Sequence, residues 1–64
     1  MKKTFKNLMN VTFDEGNNSY TLEFQENGKS EFIEVNASDH EEAATDEDYF
    51  DNEEIVNKII EENK

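Results

Sequence analysis

The chain has no cysteine, so neither a disulfide nor a zinc–thiolate centre can staple it. That fits an intracellular protein. It has no arginine either, and all six basic residues are lysine. No apolar run is long enough for a membrane span. There is also no Gly-rich phosphate loop, no basic patch and no internal repeat. These absences remove the usual grounds for reading nucleotide binding, nucleic-acid contact or a repeat array. The opening MKKTFKNLMNVTF begins with basic residues, as a signal peptide does. However, Asn7 and Asn10 interrupt its apolar stretch, and no small-residue cleavage site follows. Export is therefore not expected, and a cytoplasmic location is.

What is abundant is acid. With 17 Asp and Glu against 6 Lys, the net charge is 6 − 17 = −11. Nucleic acid and anionic membrane are polyanions, so both are disfavoured as direct ligands, and a cationic protein surface is favoured. The basic residues are Lys throughout, and Asn and Ile are frequent. That bias is typical of AT-rich coding DNA and points to a low-GC bacterium or its phage.

A chain of 64 residues makes one small domain, 1–64, and at this size only about 60% of the unfolded surface is buried on folding. The core must be small, and a homodimer or a partner is one way to complete it. High charge and low mean hydropathy point toward disorder. The local patterns point the other way, and they agree with one another.

Asn27-Gly28 between two strand-like runs predicts a two-residue type I′ hairpin, because both central positions need positive φ. Counting outward from that turn, Glu26 faces Lys29, Phe24 faces Glu31, Leu22 faces Ile33 and Tyr20 faces Val35. The turn alone sets this register, yet it aligns the apolar residues on one face. Upstream, Met9, Val11 and Phe13 alternate with polar residues, as a half-buried strand does. A loop over 15–18 pairs Asp14 with Ser19, and then Phe13 meets Tyr20, Val11 meets Leu22 and Met9 meets Phe24. Strands are thus expected at about 8–14, 19–26 and 29–36. The opposite face is mostly polar, with Glu23 and Glu34 on it, and Phe32 is its exception.

One greasy sheet face needs a cover. Ile55, Val56, Ile59 and Ile60 form a single stripe of an amphipathic helix over about 52–62. Asp51 is the expected N-cap, with Glu54 completing a capping box and Phe50 stapling to Ile55. Glu53 and Glu54 suit the positive end of the helix dipole. Ser38 with Glu41 is a second capping-box match, and Ala43 and Ala44 favour helix, so 37–50 reads as an acidic loop or a short helix. The expected fold class is α+β: a three-stranded antiparallel β-meander covered by a C-terminal α-helix (β-β-β-α).

The stretch DHEEAATDEDYFDNEE, residues 39–54, holds nine acids in sixteen residues and no Lys or Arg. A solvated linker is the plain reading of such a run. Three features favour function instead. The run is tethered to a structured element at both ends, acids recur on the sheet at Glu23 and Glu34, and so small a core gains nothing from self-repulsion. The candidate partner-binding residues are Asp39, Glu41, Glu42, Asp46, Glu47, Asp48, Tyr49, Asp51, Glu53 and Glu54. The sheet face with Glu23, Phe32 and Glu34 is a second candidate surface. Tyr49 either packs under the loop or stands among the carboxylates, where it would suit a Lys- or Arg-rich surface.

Other chemistries fit poorly. His40, the only histidine, has no second His or Cys beside it and reads as an exposed loop residue. Ser19, Ser30 and Ser38 have no base arranged around them. An EF-hand loop begun at Asp46 meets Phe50 at position 5 and Asp51 at position 6, where an oxygen ligand and Gly belong. Paired carboxylates could serve glycoside hydrolysis on count alone, but no cleft is evident. Neither an enzyme, a metal site nor a cofactor is expected.

In length, acid excess, Lys without Arg and the run DHEEAATDEDYFDNEE, the chain resembles the small acidic proteins that phages make early to take over the bacterial host. Members of that group inhibit restriction enzymes, CRISPR nucleases, uracil-DNA glycosylase or the nucleoid protein HU. The resemblance covers the chain as a whole and carries no site residue over. It implies a DNA mimic that inhibits a basic DNA-binding host protein. The alternative is an accessory or immunity-type protein that binds a cognate protein through apolar anchors such as Phe32 or Tyr49, with the acids mainly steering.

Overall fold

A computed structural model describes residues 2–64. Three antiparallel strands, β1 (Leu8–Asp14), β2 (Ser19–Glu26) and β3 (Lys29–Asn36), form one sheet in the order β1-β2-β3. The helix α1 (Glu53–Glu62) follows. This is the expected β-β-β-α arrangement.

The second hairpin closes as its turn chemistry dictates. Asn27 and Gly28 have φ of 54° and 81°, the left-handed values that a type I′ turn requires. Glu26 pairs with Lys29, Leu22 with Ile33 and Tyr20 with Val35. The first hairpin turns at 15–18, where Asp14 accepts hydrogen bonds from the Asn17 backbone and side-chain N–H groups. Asn18 takes positive φ there, a conformation that Asn tolerates better than most residues.

The base of β1 departs from simple alternation. Phe24 pairs with Leu8 instead of Met9, and the register shifts between Leu8 and Asn10. This is a β-bulge, which places one extra residue in β1. Leu8 packs against the core, while Met9 is 62% exposed. The bulge exchanges one apolar residue for another over Phe24. A 3-10 turn at Phe5–Asn7 leads into β1, and its Phe5 packs against the same core.

Leu22, Phe24 and Ile33 from the sheet and Val56 and Ile59 from α1 are the buried core. Burying each such side chain contributes about 1.5–3 kcal/mol. Val11, Tyr20, Val35, Phe50, Ile55 and Ile60 pack around it, partly buried. Phe13 keeps its expected place opposite Tyr20 but is 53% exposed. Its row lies at the end of the sheet, where Phe50 covers Tyr20 (ring centroids 5.2 Å apart) and Phe13 only flanks it (5.1 Å).

The cap of α1 is also corrected. Asn52, not Asp51, is the N-cap, and its Oδ1 accepts from the Glu54 N–H at 3.0 Å. Asp and Asn are nearly equal as caps, so adjacent candidates could not be ranked by residue type. With the cap at Asn52, Glu54 stands at N2 and Phe50 lies before N′, so neither the expected capping box nor the expected Phe50–Ile55 staple forms in register, although both Phe50 and Ile55 pack against the core.

Candidate acidic interaction surface

Between β3 and α1 the chain makes three short 3-10 turns, Ala37–Asp39, Glu41–Ala44 and Tyr49–Asp51. None has a side-chain cap, so the expected Ser38 box does not form. Main-chain hydrogen bonds hold the segment instead. Ala37 N–H donates to the Asn18 carbonyl at 2.8 Å, tying its start to the first hairpin. His40 donates to Ala37, Ala43 to His40, Asp46 to Glu42 and Tyr49 to Asp46. The Asp46 carboxylate closes a further local turn by accepting the Asp48 N–H at 2.9 Å.

The larger anchor is aromatic. Rings follow one another from Phe13 through Tyr20, Phe50 and Tyr49 to His40, with successive centroids 5.1, 5.2, 4.9 and 5.8 Å apart. These are distances at which offset and edge-to-face pairs attract. His40 Nδ1 and the Tyr49 hydroxyl oxygen lie 2.8 Å apart and share a hydrogen bond. The phenol donates in one histidine tautomer and Nδ1–H in the other. His40 is therefore not an exposed loop residue. It is half-buried and ties the start of the acidic run to Tyr49. Sequence reasoning missed this because the two residues stand nine apart in a segment with no periodicity.

Tyr49 packs under the loop and is half-buried. Burial raises its phenol pKa above the ordinary 10.0, with Glu42 and then Tyr20 acting in the same sense. The nine carboxylates, Asp39, Glu41, Glu42, Asp46, Glu47, Asp48, Asp51, Glu53 and Glu54, are all exposed. Among the described residues, ion pairs join Lys3 to Glu31 at 2.8 Å and Lys64 to Glu61 at 3.1 Å, and neither involves the run. Lys3 holds the Glu31 carboxyl below its usual value through that hydrogen bond and its charge. Glu53 and Glu54 stand in the first turn of α1, facing its positive dipole end. The candidate carboxylates thus stand exposed along the segment and the first turn of α1, with no ion pair to a described residue, and Tyr49 packs beneath them.

Concavities border the segment. A groove of about 510 Å³ runs between β3, the segment and α1, with Glu34, Asp39, Glu62 and Lys58 on its rim and Val35 and Ile59 beneath. A notch of about 280 Å³ lies between the first hairpin and the segment. On the other sheet face, Phe32 is 61% exposed and stands opposite Glu23. Among the described residues, no group of three or more His, Asp or Glu is placed to hold a metal ion. Among the described residues, no helix is long and apolar enough to cross a membrane. No known protein family, curated protein or solved structure matches the chain.

Proposed function

We propose that the chain is an acidic DNA mimic. It occupies the DNA-binding surface of a basic nucleic-acid-binding protein of a bacterial host and inhibits it. The observation that carries this reading is the ordered run of nine exposed carboxylates with no ion pair to any described residue. DNA-binding proteins gain much of their affinity by releasing counterions from phosphates that their Lys and Arg neutralise. Carboxylates fixed in space can take the place of those phosphates. Fixing them matters, because a preorganised array loses less entropy on binding than a flexible acidic tail. The aromatic ladder and the His40–Tyr49 bond supply that fixing.

A second reading has one observation in its favour. Phe32 is a large apolar residue exposed on the polar sheet face. It could anchor an accessory or immunity-type protein to a cognate partner, with the acids steering. Tyr49 supports that reading less, because its ring and hydroxyl are engaged inside the segment.

Displacement of labelled duplex DNA from a basic nucleoid protein tests the proposal. Mimicry predicts competitive displacement that weakens steeply as salt rises. Binding without displacement, abolished by Phe32→Ala, would favour the second reading.

A further inference from the structure

We propose that the notch between the first hairpin and the acidic segment seats one arginine side chain of the basic partner, an inference that rests on the reading just given. Its wall is Phe13 and Tyr20, its small side chains are Ala37 and Ala44, and Ser38 and Glu41 stand on its rim. At about 280 Å³ it falls just below the range of roughly 300–1,000 Å³ usual for small-molecule pockets, which suits a single side chain.

Phe13 is the observation that asks for an occupant. It is 53% exposed although it sits on the apolar face of the sheet. Tyr20 flanks its ring, tilted by 48° with the centroids 5.1 Å apart. The ring therefore offers an aromatic surface beside a carboxylate, Glu41, that has no ion pair with a described residue. A guanidinium satisfies both at once. It stacks on an aromatic face and donates a planar pair of N–H groups to a carboxylate, which the compact lysine ammonium does not match. No lysine lines the notch, so its field is uncompensated. The notch is also continuous with the acidic run through Glu41, so an arginine seated there would lie at the edge of the same contact. A second copy of this chain is a poor occupant, because both molecules carry a charge of −11.

The test is a titration of the ¹⁵N-labelled protein with acetyl-Gly-Arg-Gly-amide, followed by amide chemical shifts. Matched tripeptides carrying citrulline or norleucine serve as controls. The arginine peptide should shift the amides of Phe13, Ala37, Glu41 and Ala44 saturably, and the two controls should not. Phe13→Leu should weaken this binding by about two- to fivefold, the fold-change of an exposed cation–π contact. Glu41→Gln should weaken it more than Glu47→Gln, which lies outside the notch. Both Phe13→Leu and Glu41→Gln alter exposed positions, and circular dichroism will show that the fold is kept. Shifts spread evenly over the acidic surface, a norleucine peptide bound as well as the arginine peptide, or no effect of Phe13→Leu would each overturn the proposal. If the notch stays silent while the protein still displaces DNA, the arginine seat falls and mimicry stands. If the notch binds arginine while DNA is not displaced, the seat stands and mimicry falls.

Discussion

His40 Nδ1 sits 2.8 Å from the Tyr49 hydroxyl, and this contact closes the acidic segment on itself. Like charges on a flexible chain drive it to expand. Here a bond between half-buried groups opposes that expansion, and the rings of Tyr49 and Phe50, 4.9 Å apart, carry it to the sheet. Tyr49→Phe removes only the hydroxyl and leaves His40 without its partner. It should cost about 0.5–1.5 kcal/mol and speed hydrogen exchange at the Asp46 and Tyr49 amides. Unchanged exchange there would show that the bond does not order the segment.

The same tyrosine gives the segment a pH dependence. Burial raises the Tyr49 pKa above 10.0, so the folded state holds this proton more tightly than the unfolded state does. The resulting stability is intact below the unfolded value and is lost as the pH rises through the folded one. The segment should therefore loosen only in alkaline solution, above pH about 10. Ultraviolet titration of the wild type against Tyr49→Phe isolates the phenol. A Tyr49 that ionised at or below its ordinary value would contradict the packing described.

The core makes a sharper distinction within β1. Leu22→Ala and Ile59→Ala each remove a buried branched side chain and should cost about 2–5 kcal/mol. Because of the bulge, Leu8→Ala should destabilise more than Met9→Ala, and the latter should fall within about 0.5 kcal/mol of the wild type. Denaturant unfolding measures all four. A larger loss at Met9 than at Leu8 would mean that β1 pairs without a bulge.

At the helix start, Asn52→Ala should cost about 0.5–2 kcal/mol by releasing the Glu54 N–H. Asp51→Ala should cost less, because Asp51 makes no cap bond. The reverse order of melting temperatures would move the cap back to Asp51.

The fold was legible because two local signals fixed it independently. Asn27-Gly28 set a register by turn geometry, and that register aligned Leu22 with Ile33 and Tyr20 with Val35, as the structure has them. The stripe Ile55, Val56, Ile59, Ile60 then supplied the cover. What could not be read depended on choices between near-equal neighbours or on contacts distant in the chain. Leu8 and Met9 are both apolar, so alternation alone could not reveal an extra residue. Asp51 and Asn52 are both good caps. Phe13 fits the apolar pattern, but no pattern reports where the cover ends. The carboxylates of the candidate site were plain in the sequence. The His40–Tyr49 support was not, because it joins two turns of irregular backbone.

The central claim is that the carboxylates act collectively in place of phosphates. Changing Asp46→Asn, Glu47→Gln and Asp48→Asn together removes three charges while keeping shape and the acceptor that Asp46 offers to Asp48 N–H. Stability should hold or rise slightly as repulsion falls. The most direct measurement is affinity for a basic DNA-binding protein across a salt series, with displacement of labelled duplex DNA followed in parallel. Mimicry predicts weaker binding, a shallower log–log salt slope and poorer displacement for the triple variant. Unchanged affinity and slope, with binding abolished by Phe32→Ala, would contradict it.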